Sequence, residues 1–332
     1  MRSSLKYLSF FLLLIFLAGG YLIYLWTVPR EMNETIIEIG EGETALAIAN
    51  KLYNKNLIGS RKAFYLYIKL KKYENSLSYG KYLFSGRMNM TAIIKQIKSG
   101  KILLNKVTIP EGLPAWKTCR LLAERGFGKY KVFLALCNDS LFTKKQTGFS
   151  LPSLEGFLYP ETYHFPDNAT EEFILSHLVK EFFRQTADLD FNPNEKIDFY
   201  KTIILASIVE REAKIQSEKP IIASVYLNRI NAGYKLQADP TVAYVLELAG
   251  KKRERILYRD LEIDSPYNTY KHAGLPPTPI CSPPRSSIAA VLNPAETDYF
   301  FFFATGSGGH EFSRTYQQHL RKQKQMKAAN GI

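Results

Sequence analysis

Two glutamates one residue apart close an apolar run, Leu205-Ala-Ser-Ile-Val-Glu-Arg-Glu-Ala213, and of all the side chains in this sequence they are the best suited to proton chemistry. On a helix, Glu212 continues the row Leu205, Ile208, Ile215 in steps of three and four, which predicts that its side chain projects on the buried stripe. Loss of hydration favours the neutral carboxyl and raises its pKa. A carboxylic acid still protonated near neutral pH can serve as a general acid, as cleavage of a glycosidic bond requires. Glu210 reads differently. Lys214 follows it by four residues, so the spacing predicts an ionised carboxylate held in a helix-surface pair. Glu212 is therefore the candidate acid and Glu210 at most a supporting carboxylate.

The elements that must carry these residues begin with an apolar run over residues 7–28, uncharged and about long enough for a hydrocarbon layer of roughly 30 Å. Arg2 and Lys6 precede it and Tyr21, Tyr24 and Trp26 lie in its second half, which predicts a single-pass anchor with a cytoplasmic N-terminus. A cleaved signal peptide fits less well, because Ala18-Gly19-Gly20 lies inside the run rather than after it. The chain carries a net charge of +13, spread along its length. Nucleic acid is one partner for such a charge, but an exported location argues against it, and an anionic cell wall or anionic lipid headgroups suit it equally. Cys119, Cys137 and Cys281 show no CxxC spacing and the histidines form no HExxH set, so neither a metal nor a cofactor is expected. Cys119 and Cys137 could pair in an oxidising compartment, which the sequence leaves open.

The pattern predicts an α+β protein in three parts: residues 1–30 as cytoplasmic N-terminus and transmembrane anchor, 31–105 as a small α+β module, and 106–332 as a larger mixed α+β domain holding the glutamates. In the module, a strand at Ile36-Ile-Glu-Ile39, the Gly40-Glu-Gly42 turn, Thr44 and an Ala-rich helix resemble half of a LysM-type sugar-binding repeat. In the larger domain, Ser153-Leu-Glu-Gly-Phe-Leu-Tyr-Pro-Glu-Thr-Tyr163 mixes aromatic rings with carboxylates, a combination found in sugar sites and equally in a domain hinge. Residues 131–150 read as a helix followed by a polar connection, and residues 299–304 as a buried strand. Ser217 reads as the N-cap of a helix with Pro220 in its first turn, closed by Gly233. Residues 236–244, 264–270 and 274–284, rich in Pro, amide, hydroxyl and phenol groups, are expected to be irregular loops around the acid.

Taken in order, Ser207-Ile-Val-Glu-Arg-Glu212, Asn228-Arg229, Leu236-Gln-Ala-Asp-Pro-Thr-Val242, Tyr267-Asn-Thr-Tyr270, Gly274-Leu-Pro-Pro277 and Gly309-His-Glu-Phe-Ser313, together with Leu154 to Tyr163, resemble the YceG-like, or MltG-type, endolytic murein transglycosylases. Thr278, Ser282 and Pro284 depart from residues common in that family. The resemblance implies a bitopic enzyme of the bacterial inner membrane, with a LysM-like subdomain and an extracytoplasmic catalytic domain. Such an enzyme cuts the β-1,4 bond between N-acetylmuramic acid and N-acetylglucosamine in nascent glycan strands, leaves 1,6-anhydromuramyl ends and thereby terminates elongation. It implies Glu212 as the catalytic residue. Gln237, Asp239, Thr241, Tyr267, Asn268, Thr269, Tyr270 and His310 are then the candidates for binding sugar. Peptidoglycan is the implied partner, with peptidoglycan synthases of the elongation or division machinery beside it. Two other readings stay open: a wall-binding scaffold without catalysis, and a water-using muramidase in which Asp239 or Glu210 is the second carboxylate. A pyridoxal phosphate lyase is disfavoured by the exported location.

Overall fold

The N-terminal apolar run forms one helix, α1 (Arg2–Thr27), and among the described residues it is the one helix long and apolar enough to cross a membrane. Its apolar side chains point outward, with Phe10, Leu13 and Phe16 all exposed, as suits a single-pass anchor. The computed structural model describes residues 2–100, 103–167, 169–191, 198–251, 255–306 and 308–329 of a mixed α+β chain that divides into two units.

The first unit comprises Met1–Lys106 and His164–Ala169. After α1 come β1 (Arg30–Ile39), α2 (Ala45–Asn54), α3 (Arg61–Leu70), β2 (Gly80–Met88) and α4 (Met90–Lys98). The strands pair antiparallel, with Ile37 opposite Tyr82, and the register shifts between Met32 and Thr35. Each helix starts where a side-chain oxygen accepts an orphan backbone N–H: Thr44 for α2, Ser60 for α3, Asn89 for α4. Their apolar faces close over the strands around Ile48, Leu52, Phe64, Phe84 and Ile93. The end of α1 is tied into the rest of this unit. The Trp26 indole donates to the Ala63 carbonyl at 3.0 Å, and the Asn89 amide donates to the Thr27 carbonyl at 2.9 Å.

The second unit comprises Val107–Tyr163 and Thr170–Ile332, and the division falls inside the paired strands β3 (Leu104–Thr108) and β4 (Thr162–Pro166). Between them lie α5 (Ala115–Glu124), α6 (Tyr130–Cys137) and α7 (Ser140–Thr147), so the span read as one helix and a connection is two helices broken at Asn138-Asp139. Asp139 accepts from the N–H groups of Leu141 and Phe142 and starts the second of them. There follow α8 (Glu171–Thr186), α9 (Phe199–Glu212), α10 (Lys219–Asn231), α11 (Asp239–Leu248), α12 (Arg285–Leu292), the hairpin β5 (Phe301–Ala304) and β6 (His310–Ser313), and α13 (Tyr316–Ala329).

Helix α9 is the axis of this unit. Its residues Thr202, Ile203, Ile204, Leu205, Ala206, Ser207, Ile208 and Val209 are all buried, so it is covered on every side rather than on one stripe. Helices α10, α11 and α12 pack against it. The Pro-rich segment before α12 closes another face: Ser207 Oγ accepts from the Ile280 N–H at 3.0 Å, and Ile280, Cys281 and Ser282 are buried. The Leu154-Glu-Gly-Phe motif meets the same segment. Gly156 has φ +94°, and a Cβ there would stand 2.6 Å from Pro279 Cγ, so backbone and proline touch where only glycine fits.

Several sequence expectations are corrected. Residues 236–244 are not an irregular loop, because Asp239 and Pro240 open α11; Pro lacks only an N–H that the first turn leaves unpaired. Ser217 lies inside a short 3₁₀ turn, Gln216–Glu218, and does not cap α10. Residues 299–304 are half-buried, since β5 forms a two-stranded hairpin with one face open. Cys119 and Cys137 are free, buried thiols with sulfurs 3.3 Å apart. Glu210 does not pair with Lys214. Its carboxylate meets the Lys219 ammonium at 2.8 Å and accepts from Ser287 Oγ at 2.6 Å. With side-chain exposures of 2% for Lys219 and 10% for Glu210, this is an interior ion pair that joins the end of α9 to the starts of α10 and α12. Lys219→Ala leaves the carboxylate buried without its counter-charge, and the expected loss of about 3–5 kcal/mol is to be read from the chemical denaturation midpoint of the full chain in detergent.

Candidate active site

Helix α9 stops at Glu212 because Ala213 turns to an extended backbone, with its N–H closing the last bond to the Val209 carbonyl at 2.9 Å. The chain then reverses through the 3₁₀ turn into α10, which sets Tyr226 opposite Glu212. The Tyr226 hydroxyl donates to Glu212 Oε2 over a long 3.4 Å, and Tyr226 is itself buried. Glu212 keeps a partly exposed surface, yet protein surrounds its carboxyl closely enough to remove most of its hydration. Burial is the main cause that pushes its pKa up to about 7; the negative charge of Asp239 adds to it, and the Tyr226 hydroxyl opposes it weakly. The site thus joins access from solvent to a proton-holding carboxyl.

Asp239 reaches this place as the first residue of α11. The Tyr270 hydroxyl donates to its Oδ1 at 2.6 Å. Burial first, and the Asp239 carboxylate second, raise the Tyr270 phenol and keep it a donor. Gln237, just before α11, takes a left-handed backbone with φ +49°, uncommon for a residue with a side chain and shared by Asn56 and Lys72 beyond the ends of α2 and α3. Its N–H donates to the Thr269 carbonyl at 3.1 Å, and its side-chain oxygen accepts from Arg229 Nη1 at 3.3 Å. Arg229 is buried on α10 and donates to the Phe300 carbonyl at 2.6 Å and to the Leu236 carbonyl at 2.7 Å. One arginine therefore ties α10, the hairpin strand and the Gln237 turn into one wall.

The remaining sequence candidates fall in other places. Thr241 and Thr269 bond to one another at 2.9 Å and are buried, holding the Gln237 turn from behind. Asn268 is buried too. Its amide donates to the Leu261 and Ile263 carbonyls and its oxygen accepts from the Tyr270 N–H, so it shapes the loop that delivers Tyr270. Tyr267 faces away, bonding Thr278 Oγ1 at 2.7 Å beside the ring of Tyr244. His310 meets Glu218 through Nδ1 at 2.7 Å and through its N–H at 3.0 Å, and its ring packs edge-on against Phe302, which in turn touches Tyr226. Glu212, Tyr226, Asp239 and Tyr270 come together, with Gln237 two residues before Asp239; Glu210, two residues before Glu212, sits in its separate ion pair. Among the described residues no three His, Cys, Asp or Glu side chains gather as a metal site.

Residues 37–325 match the model of the YceG-like family. The chain belongs to that family. A Bacillus subtilis protein named endolytic murein transglycosylase is 34% identical over 336 residues, covering 94% of this chain and 92% of that protein. A Streptococcus pneumoniae protein of the same name is 26% identical, and its match covers 94% of this chain and 63% of the longer pneumococcal sequence. A crystal structure of a YceG-like protein from Listeria monocytogenes superposes with a TM-score of 0.60 at 32% identity, over 87% of this chain and 98% of that one.

Tyr226 escaped sequence reasoning, and Arg229, quoted only as part of a family motif, was given no role. Tyr226 hides in the apolar run Val225-Tyr226-Leu227, where a phenol reads as core. Arg229 was visible as a charge four residues after Val225 on a helix whose middle is mostly apolar, which is the signal that could have singled it out. The pH behaviour follows from the electrostatics. With its folded pKa raised from 4.5 to about 7, Glu212 contributes stability in full below the unfolded value and loses it as the pH rises through the folded one. A reaction needing its proton loses rate above about pH 7. Asp239→Asn removes the neighbouring negative charge and lowers the Glu212 pKa, so the alkaline limb of kcat/KM should move to lower pH. A limb that stays in place would assign it to another group.

Proposed function

We propose that this chain is a membrane-anchored lytic transglycosylase that cuts the β-1,4 bond between N-acetylmuramic acid and N-acetylglucosamine within peptidoglycan strands, with Glu212 as both acid and base. The observation that carries the reading is a carboxyl held protonated near neutrality by burial and by Asp239, at a point still open to solvent. The names of the curated relatives support the substrate class.

In this mechanism the Glu212 carboxyl gives its proton to the glycosidic oxygen as the bond to C1 of the muramyl unit breaks. The carbonyl oxygen of the 2-acetamido group bonds to C1 and takes up the positive charge. Glu212, now a carboxylate, removes the proton from the C6 hydroxyl; O6 attacks C1, the acetamido oxygen leaves, and the anhydro ring closes with Glu212 reprotonated. The substrate supplies the nucleophile, so no water-activating second carboxylate is required, unlike ordinary glycosidases. Asp239, held through Oδ1 by Tyr270, is the group assigned to accept the acetamido N–H. Gln237, fixed by Arg229, is assigned to the sugar hydroxyls. The helix α1 is read as the inner-membrane anchor, with the rest of the first unit and the whole second unit on the extracytoplasmic side, the former as a LysM-like glycan-binding module and the synthases as neighbours.

The carboxylate of Asp239 close to Glu212 also favours a second reading, hydrolysis by a water that Asp239 activates. Mass spectrometry of the products decides between them, because lytic transfer leaves anhydromuramyl ends and hydrolysis leaves reducing ends. Glu212→Gln should fold, insert and lose at least about 10²–10⁴-fold of the cleavage rate, the range that one acid–base group supplies. Cleavage at the wild-type rate by that variant would rule out Glu212 as the acid. Glu210→Gln should act chiefly on stability, through the Lys219 it leaves unpaired.

A further inference from the structure

A second buried carboxyl of the larger unit, Glu155, borders a cleft whose lining includes none of Glu212, Tyr226, Asp239 and Tyr270. The cleft of about 440 Å³ opens beside α5, α6 and the end of α11, within the roughly 300–1,000 Å³ usual for small-ligand sites. Trp116, Tyr130, Tyr244 and Tyr267 line it and Glu155 forms part of its wall. Glu155 is buried, its carboxyl accepting from the Ala115 N–H at 3.0 Å and from the Tyr244 hydroxyl at 3.3 Å. The Arg120 guanidinium lies 5.3 Å from the Trp116 ring and 5.5 Å from the Tyr130 ring, at the exposed rim. Capping the N-terminus of α5 accounts for the position of Glu155. It does not account for four aromatic rings around an open cleft with a cation at its mouth.

We propose that this cleft is a distal saccharide subsite, which holds an N-acetylmuramyl unit of the same glycan strand that is cut at Glu212. The inference rests on the proposed transglycosylase reading. Aromatic walls suit the apolar faces of pyranose rings, and the Glu155 carboxyl can exchange hydrogen bonds with their hydroxyls. Arg120 matches the lactyl carboxylate that a muramyl unit carries once its stem peptide has been removed, which distinguishes it from its neutral neighbour in such a stripped strand. Helix α11 links the two places. Asp239 at its first residue adjoins Glu212 while Glu247, lining the cleft and paired to Arg211 at 2.7 Å, lies eight residues on (247 − 239), which at 1.5 Å per residue is about 12 Å along the helix. A strand of a few sugars laid along α11 would reach both. Binding energy collected at a remote subsite can be used to position the bond that breaks, and it confines cutting to strands long enough to span.

The sequence holds two tryptophans, Trp26 in the anchor and Trp116 in the cleft, so Trp26→Phe leaves a single reporter at the site. In the full-length Glu212→Gln, Trp26→Phe chain in detergent, Trp116 emission is titrated with long amidase-stripped glycan strands, and the wild-type chain is assayed for anhydromuramyl products on the same strands. A saturable change in Trp116 emission is expected, weakened at least tenfold in affinity by Tyr130→Ala and also by Arg120→Ala, whose exposed side chain the fold can spare. Unchanged emission with strands that the wild type cuts would overturn the subsite and leave the activity standing, as would full affinity in a folded Arg120→Ala chain. A saturable change without cleavage by the wild type would overturn instead the transglycosylase reading on which the inference rests.

Discussion

From Thr202 to Val209 helix α9 has no face left for water, and that packing constraint decides what its last three side chains can do. Successive residues on a helix point about 100° apart, so a helix enclosed by α10, α11, α12 and the Pro-rich segment must send Glu210, Arg211 and Glu212 into three different neighbourhoods. Glu210 meets Lys219 and Ser287, Arg211 meets Glu247, and Glu212 meets Tyr226 and Asp239. The same run of sequence therefore yields a structural ion pair, a rim ion pair and a desolvated acid. What separates them is the partner each direction offers, since the two glutamates begin as the same chemical group.

The partners in turn depend on elements far off in sequence. Tyr270 arrives at Asp239 because Asn268 spends its whole amide on the loop that precedes it, and Gln237 holds its left-handed turn because Thr269 and Thr241 brace it. Arg229 fastens this arrangement to the hairpin strand. Residues that look like sugar-binding groups in the sequence are, in several instances, the supports of the residues beside Glu212. A buried amide with both its donors and its acceptor engaged has nothing left to offer a ligand, while its removal strands several backbone groups at once.

This explains how far the sequence could be read. The long apolar helix α1 and the strand β1 and helix α2 of the first unit were legible, because each depends on local periodicity or on length; the row that singled out Glu212 is not a stripe, since α9 is buried all round and Ile215 lies exposed beyond its end. Helix α11 was not, since Asp-Pro reads as a turn until one notices that Pro is welcome in a first helical turn. The Glu210 pairing was missed because Lys219 is close in sequence but across a reversal of the chain, and periodicity along one helix is blind to it. Asn268, Thr269 and Thr241 could not be sorted from Tyr270 and Asp239 by residue type. Amides and hydroxyls serve loops and ligands alike, and only burial separates the two uses. The division into two units falls within β3 and β4, where the chain leaves one and returns to it, a pattern invisible to any linear division of the sequence.

Glu155 and Glu212 are both raised to about 7, chiefly by burial, yet they are not interchangeable. Glu155 is surrounded by groups that favour its charged form: the Ala115 and Gly156 N–H groups, the Tyr244 hydroxyl and the positive field of Arg211 all oppose the effect of burial. A carboxyl so supplied with donors is stabilised as a carboxylate whenever it ionises and has little drive to change state with a substrate. Glu212 has one long bond from Tyr226 and a like charge at Asp239. Its carboxylate is poorly supported, so a positive charge developing at a nearby sugar carbon would itself stabilise that carboxylate most when the proton has left. That coupling between proton loss and substrate charge is what acid catalysis asks of a residue, and it follows from how few donors the fold supplies at the end of α9.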